Sequence, residues 1–291
     1  MNDPISHPAI NNISNKIESL TPKAQTLGNY IVQNPSKAVF MTTKELAQTC
    51  DISEATVVRF VSTLGYDGYS DFQNSLKDFV NTGLSLPERA NIKGIQGPGA
   101  DRLHRGILEE LGNLQHLYEN ISVETMNEFV DELNKAHTVY VVGSRLSYTF
   151  AYYLGWSLTK IRKGIHILKG SDSTSFDMLA NASSESLVIL ATTTRYPNEL
   201  IKLARMIRRS SHTLLTMADS NICPVAGFAD ISLVVPSRSI PFIGNVSGML
   251  AVIQYIVQEL ANKRGKNLEE YQKQLEQVYL ENDILFNLDP R

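Results

Sequence analysis

Only two cysteines, Cys50 and Cys223, occur in 291 residues, and they stand far apart. That is no disulfide framework. Both are expected to be inert thiols, Cys50 as a small apolar core residue and Cys223 in a loop before a proline. No apolar run approaches about 18 residues, so no membrane-crossing helix is expected. The opening "MNDPISHPAI" lacks the basic start and apolar segment of a secretory signal, which leads to the expectation of a cytoplasmic chain with no membrane partner. A surplus of positive charge is missing too: 27 Lys and Arg stand against 30 Asp and Glu, a net charge of −3. Nothing global therefore draws the protein to nucleic acid. No metal-ligand spacing, glycine-rich nucleotide loop or Ser/His/Asp set is visible, so no metal, cofactor or catalytic residue is expected.

What is present is ordinary for a globular protein, with 43% hydrophobic and 20% charged residues. The length suggests about two domains. The clearest break is "NTGLSLPERANIKGIQGPGA", residues 81–100, with four glycines, two prolines and no aromatic residue. Such a segment reads as a flexible connector, able to span roughly 66 Å when extended. The expected division is residues 1–80, a connector over 81–100, and residues 101–291.

Before the connector, everything reads as short helices. A helical pattern runs through 13–33. Thr42 and Glu45 are spaced as a capping box, and Ser70 and Gln73 repeat the Ser-x-x-Gln form. Between them lies "CDISEATVVRFVSTLG". Ser53 suits a helix N-cap, Val57, Phe60, Val61 and Leu64 form one buried stripe, and Gly65 ends the helix. The other face carries Ala55, Arg59 and Ser62 with Thr56 at its edge, and no bulky apolar residue is expected there. Helices over 43–49 and 53–64, joined by a short turn, have the geometry of a helix-turn-helix. Asp51 falls in that turn, where aspartate tolerates a left-handed backbone better than most residues. In this arrangement Ser53, Glu54, Ala55, Thr56 and Arg59 are the candidates to reach base edges, and Lys44 and Lys77 to bind flanking phosphates. Against this, residues 1–80 hold six Lys/Arg and eight Asp/Glu, an unhelpful sign for phosphate attraction. A plain helical bundle with a solvated polar face stays open on these grounds.

The stretch "TTKELAQTCDISEATVVRFVSTLGYDGYSDFQNSLKDFV" closely resembles the N-terminal domain of the RpiR family of bacterial transcriptional regulators. The family pattern, an Ala-containing first helix, Ser-x-x-T/S-[VI]-x-[RK]-F and Leu-Gly-[FY]-x-Gly-[FY], is met by Ala47, Ser53 to Phe60, and Leu64 to Tyr69. Asp51 departs from it where glycine is usual. The resemblance implies a double-stranded, palindromic DNA operator as partner.

After the connector, apolar helices fill about 101–135, and five β-rich runs follow: "TVYVV", "IHIL", "LVILA", "TLLTM" and "ISLVV". Helical patterns lie between the first four, and long helices near 245–263 and 268–286 close the chain. Apolar strands alternating with helices predict an α/β domain, a five-stranded parallel sheet flanked by helices, after an all-α helix-turn-helix domain. Ligands in such sheets bind at the carboxyl ends of strands. Two loops there are rich in hydroxyls, "GSRLSY" (143–148) and "TTTRYPNE" (192–199), and offer Ser144, Arg145, Ser147, Thr192, Thr193, Thr194, Arg195 and Glu199 as candidates to bind an effector.

This half resembles the SIS (sugar isomerase) domain, a flavodoxin-like fold. Its motif Gly-x-Gly-x-Ser-x-x-x-Ala corresponds to Gly143 through Ala151, and Ser-x-Ser-Gly-x-Thr-x-Glu to Thr192 through Glu199. The resemblance implies that Ser147, Thr192 and Thr194 hold a phosphate. Arg145 and Arg195 replace motif glycines, and Pro197 replaces a threonine. Either the arginines fill the pocket and leave a dimerisation scaffold, or they reach an anionic effector such as a phosphosugar, a sugar acid or another carboxylate. Two buried guanidiniums without an anion would carry a large desolvation cost, which favours the second. The expected protein is a ligand-controlled, self-associating regulator, dimer or tetramer. A SIS-fold sugar-phosphate isomerase or lyase with Glu199 as base is the alternative. His137, His166 and His212 fall just before strands or at their starts and look structural.

Overall fold

A computed structural model describes residues 8–85, 87, 89, 99–183, 185–210, 212–237 and 243–285. The chain divides into two compact units, Met1–Arg89 and Ala90–Arg291. Among the described residues no helix is long and apolar enough to cross a membrane.

The first unit is helical: α1 (Pro8–Lys16), α2 (Pro22–Gln33), α3 (Pro35–Ala38), α4 (Thr43–Thr49), α5 (Glu54–Leu64) and α6 (Tyr69–Gly83). The continuous helix expected over 13–33 is broken. Leu20 and Thr21 are extended, and Pro22 opens α2, where its missing N–H has no bond to lose. Thr42 and Glu45 form the capping box. Ser70 and Gln73 do not. Gly68 is the N-cap of α6, and the Gln73 amide donates instead to the carbonyls of Val39 (2.9 Å) and Met41 (3.2 Å). The Val39 carbonyl, which follows the short α3, would otherwise be orphaned, whereas Met41 O also accepts the Tyr69 hydroxyl.

Helix α5 is fixed at both ends. Ser53 Oγ accepts the Thr56 N–H, and Gly65, at φ 94°, closes a Schellman turn in which Tyr66 N–H reaches Val61 O. Asn12 and Lys16 of α1 donate to the carbonyls of Leu64 and Thr63, satisfying the C-terminal turn from outside. Val57, Phe60, Val61 and Leu64 are buried, and the Phe60 ring meets Phe72 of α6 edge-on at 6.2 Å. Cys50 is only half-buried at the end of α4. Cys223 of the second unit is the core thiol, pushed up to about 11 by burial. The connector expected over 81–100 begins too early, since 81–83 complete α6, and most of its remainder lies outside the described residues.

The second unit contains α7 (Gly99–Asn120), α8 (Val123–Lys135), β1 (Val139–Gly143), α9 (Leu146–Leu158), β2 (Ile165–Lys169), α10 (Thr174–Ala180), β3 (Leu187–Thr192), α11 (Asn198–Arg209), β4 (Thr213–Ala218), β5 (Ile231–Val234), α12 (Val246–Arg264) and α13 (Lys266–Glu281). The strands are all parallel in the order β2-β1-β3-β4-β5. Every residue of β3 is buried, as a central strand covered on both faces requires. One face packs against α8, α9 and α12, through residues such as Phe129, Phe150 and Ile253. The other packs against α10 and α11, through Leu179, Leu200 and Leu203. The chain leaves β1 and β3 toward opposite faces, so their carboxyl ends frame the crevice of a doubly wound sheet.

Candidate functional site

In the first unit, α4 and α5 form the expected helix-turn-helix. Asp51 in the turn has φ 50°, the left-handed conformation its position demanded. Of the candidate reading residues, Ser53, Glu54, Ala55 and Arg59 are exposed and Thr56 is half-buried. Two already have structural partners: Ser53 Oγ lies 2.9 Å from the Thr56 hydroxyl, and Glu54 accepts the Thr43 hydroxyl at 3.1 Å, tying α5 to α4. Arg59 Nε donates to Ala55 O at 3.2 Å, and its two terminal nitrogens make no hydrogen bond among the described residues. Val58 is 50% exposed on the same side, contrary to the expectation that this face carries no bulky apolar group. Its spacing of three from Ala55 and four from Ser62 identifies that face, once its exposure shows it is not part of the core stripe. Lys44 is exposed, and Lys77 Nζ approaches Asn74 Oδ1 at 3.3 Å.

In the second unit, the loops after β1 and β3 meet. Ser147 Oγ lies 3.1 Å from the Thr193 hydroxyl and accepts the Thr193 N–H at 3.1 Å. Ser144, fully buried, donates to Glu199 Oε1 at 2.6 Å. That bond, first among its causes, holds the Glu199 carboxyl below its ordinary range, and the Arg145 charge adds to it. The Thr192 hydroxyl is fully buried and has no oxygen or nitrogen partner among the described residues, with the Cys223 thiol beside it. Pro197 precedes the first residue of α11, placing Glu199 in the helix's first turn.

Arg145 and Arg195 sit on backbone that suits glycine, at φ 55° and 67°. Both side chains are exposed. The desolvation argument for an anion between two buried guanidiniums therefore falls, and so does the picture of arginines filling the pocket. They stand at its rim.

Sequence reasoning passed over Asp219, the first residue after β4. It is 7% exposed, and its carboxylate accepts the Thr194 N–H at 2.6 Å, the Thr194 hydroxyl, and the Tyr196 hydroxyl at 3.2 Å. Burial pushes this carboxyl up, and the bonds from Thr194 and Tyr196 offset part of that. An acid directly after a fourth apolar run was the available signal. Of the three hydroxyls expected to hold a phosphate, Thr194 is thus already turned toward Asp219 and Ser147 toward Thr193, and the neighbouring Ser144 is turned toward Glu199.

Comparison with known proteins covers both units. Residues 8–82 match a helix-turn-helix domain of the rpiR family, and residues 132–258 match a SIS domain. The HTH-type transcriptional regulator HexR of Escherichia coli is 23% identical over 276 residues, covering 92% of this chain and 93% of that one. The regulator YbbH of Bacillus subtilis is 23% identical over 216 residues, 74% of this chain and 75% of that one. Among solved structures, the Vibrio vulnificus NanR protein complexed with ManNAc-6P superposes with a TM-score of 0.57 at 19% identity, covering 93% of this chain and 98% of that one. The sugar isomerase domain of an RpiR transcription factor from Sphaerobacter thermophilus gives 0.55 at 23% identity, over 59% and 96%. With each half matched in turn, and regulators of this kind aligned along nearly the whole chain, the protein belongs to the RpiR family of helix-turn-helix transcriptional regulators and carries a SIS domain in its second half.

Proposed function

We propose that the first unit reads a palindromic double-stranded operator, and that the second senses a small anionic metabolite whose binding changes operator affinity. Helix α5 carries this reading, buried on one side and offering Ala55, Val58, Arg59 and Ser62 on the other. An arginine with two free terminal nitrogens suits the O6 and N7 of guanine, and an exposed valine suits a thymine methyl. Lys44 and Lys77 serve the phosphates. One such helix covers a half-site, so the working form is a dimer or tetramer. Support for self-association comes from α7, where Leu103, Ile107, Leu111 and Tyr118 share one exposed stripe.

Arg59→Ala is expected to cost about 1–3 kcal/mol of base discrimination without unfolding the chain. Gel shifts on the upstream region of its own coding sequence, with melting temperature as control, provide the check. Unchanged operator affinity would remove Arg59 from the reading role.

For the effector, the supporting features are the paired loops at the crevice and the two arginines at their rim. NanR, whose fold this chain shares, was solved with ManNAc-6P, which makes phosphosugars the first compounds to screen, then sugar acids and other carboxylates. A ligand matters only through its different affinity for the operator-competent and incompetent states. Because both arginines are exposed, each is expected to contribute only about 1 kcal/mol to binding. Arg145→Gly is the cleaner variant, since alanine would keep the strained backbone. It should weaken the anion about fivefold while raising stability by about 1 kcal/mol through relief of φ 55°. Calorimetric titration beside thermal melts reads both effects. A melt that rises with no anion bound at all supports the dimerisation scaffold instead.

The protein acts as a sensor, not an enzyme, on this reading. Glu199, the carboxylate that the enzyme reading casts as base, is stabilised as the anion by Ser144 and is a weak base for it. Turnover of a phosphosugar that is lost in Glu199→Gln would reverse this conclusion.

A further inference from the structure

A cleft of about 460 Å³ opens at the amino ends of β1 and β2, the opposite edge of the sheet from the loops of the effector site. Lys135, Arg162, Lys163 and Arg264 line it, with Asn267 and Tyr271, and no carboxylate is in the lining. Glu132 pairs with Lys135 at 2.8 Å and neutralises that one lining charge, and Asp131 pairs with Lys263 at 2.7 Å, which leaves Arg162, Lys163 and Arg264 without an ion pair among the described residues.

Arg162 is almost wholly buried and has an internal purpose. Its guanidinium donates to the carbonyls of Leu133 (2.6 Å), Ala136 and His137 (2.8 Å), the orphaned end of α8. Carbonyls satisfy its donors but leave its charge uncancelled. Burial, and then the neighbouring Arg264 charge, press it down to about 10. Arg264 is less well provided for. Its Nε is buried with no partner among the described residues, and one terminal nitrogen reaches Asn134 O only at 3.5 Å. Lys163 is exposed and makes no ion pair among the described residues. The first turn of α13 adds donors, because its N-cap, Gly265, has no side chain to satisfy them, and Asn267 of that turn lines the cleft. Positive charge thus converges where the lining, among the described residues, offers carbonyl acceptors but no negative charge. Water can satisfy donors, but it brings no counter-charge.

We infer that this cleft binds a small, multiply charged phosphorylated compound through Arg264, Lys163 and the first turn of α13, at a second site independent of the effector loops. Phosphoryl oxygens would accept from the terminal guanidinium nitrogens of Arg264 and from the α13 backbone, and Lys163 would close over the ligand as a mobile charge. Its volume admits a molecule of nucleotide or sugar-phosphate size.

Calorimetric titration of the full chain with pyrophosphate is the test, on wild type, Lys163→Glu, Arg264→Gln and the Arg145→Gly/Arg195→Gly double variant. Binding should persist unchanged in the double variant and weaken about 10-fold or more in Arg264→Gln and in Lys163→Glu. The Lys163 side chain makes no hydrogen bond or ion pair among the described residues, and its carbonyl, which accepts from Arg162 Nε, is kept in the variant, so Lys163→Glu remains informative even if Arg264→Gln melts early. The proposal is overturned if millimolar pyrophosphate does not bind wild type, if Lys163→Glu and Arg264→Gln leave binding unchanged, or if the double variant abolishes it.

Discussion

Gly143→Ala is expected to cost about 3 kcal/mol of stability and to disorganise the effector loops together. A Cβ on Gly143 would stand 2.4 Å from the Ser147 carbonyl oxygen, 2.7 Å from its carbon and 2.8 Å from Tyr148 Cα. All three are backbone atoms of the first turn of α9, and no rotamer change can move them. The requirement is therefore for space, created by β1 ending directly beneath the start of α9. To admit one methyl group, α9 must lift from the sheet. Phe150, Ala151 and Leu154 would then lose contact with the core. Ser147 would move too, breaking its pairing with the Thr193 N–H and hydroxyl. For a chain of this size the melting temperature should fall by roughly 6–12 °C. A thermal melt within a degree or two of wild type would mean that the close approach of β1 and α9 is not a real constraint.

The strands and the helix-turn-helix were legible because each depends on a local rule that tertiary context reinforces. Near-continuous apolar runs of five or six residues have no other place in a helix-rich chain than a covered sheet. Ser53 and Gly65 bound α5 through their own backbone chemistry, and Asp51 took the left-handed turn its setting required. The Ser70–Gln73 pattern misled because a capping box needs Ser70 just outside the helix, whereas the chain enters α6 one residue earlier, at Tyr69. Whether Gln73 caps its own helix or the carbonyl of Val39 is decided by which groups the fold leaves unpaired. The same holds for the arginines. That Arg145 and Arg195 occupy glycine-type backbone could be read from the motif, but not that their side chains reach solvent, because exposure depends on loops distant in sequence. Asp219 was hidden for a related reason. Its partners Thr194 and Tyr196 lie on a different strand-end loop, and only the β3–β4 register brings them together.

Asp219→Asn should raise the affinity for an anionic effector by as much as 100-fold. In the native chain this carboxylate occupies the place among the Thr194 and Tyr196 donors where an anion would be held. A ligand anion about 5 Å from it, at an effective dielectric near 20, meets a repulsion of about 3 kcal/mol. Asparagine keeps the shape and the oxygen that accepts from Thr194, and removes the charge. The pH dependence follows from the raised pKa, whose first cause is burial. An acid that titrates higher in the folded state binds its proton more tightly there. Stability gained from this group should thus grow as pH falls through its folded pKa and level off below its unfolded value, about 3.9. Anion affinity should climb as pH falls toward the folded pKa and level off below it, since the protonated acid no longer repels. In Asp219→Asn both slopes due to this group should vanish, leaving tight binding at every pH. Titrating a phosphosugar identified by the thermal screen into both proteins across that range, beside thermal melts, measures each slope. Weaker binding in Asp219→Asn would invert the assignment: the carboxylate would then be accepting hydroxyl groups of the effector, and the native site would select for polyols that carry their charge toward the rim arginines.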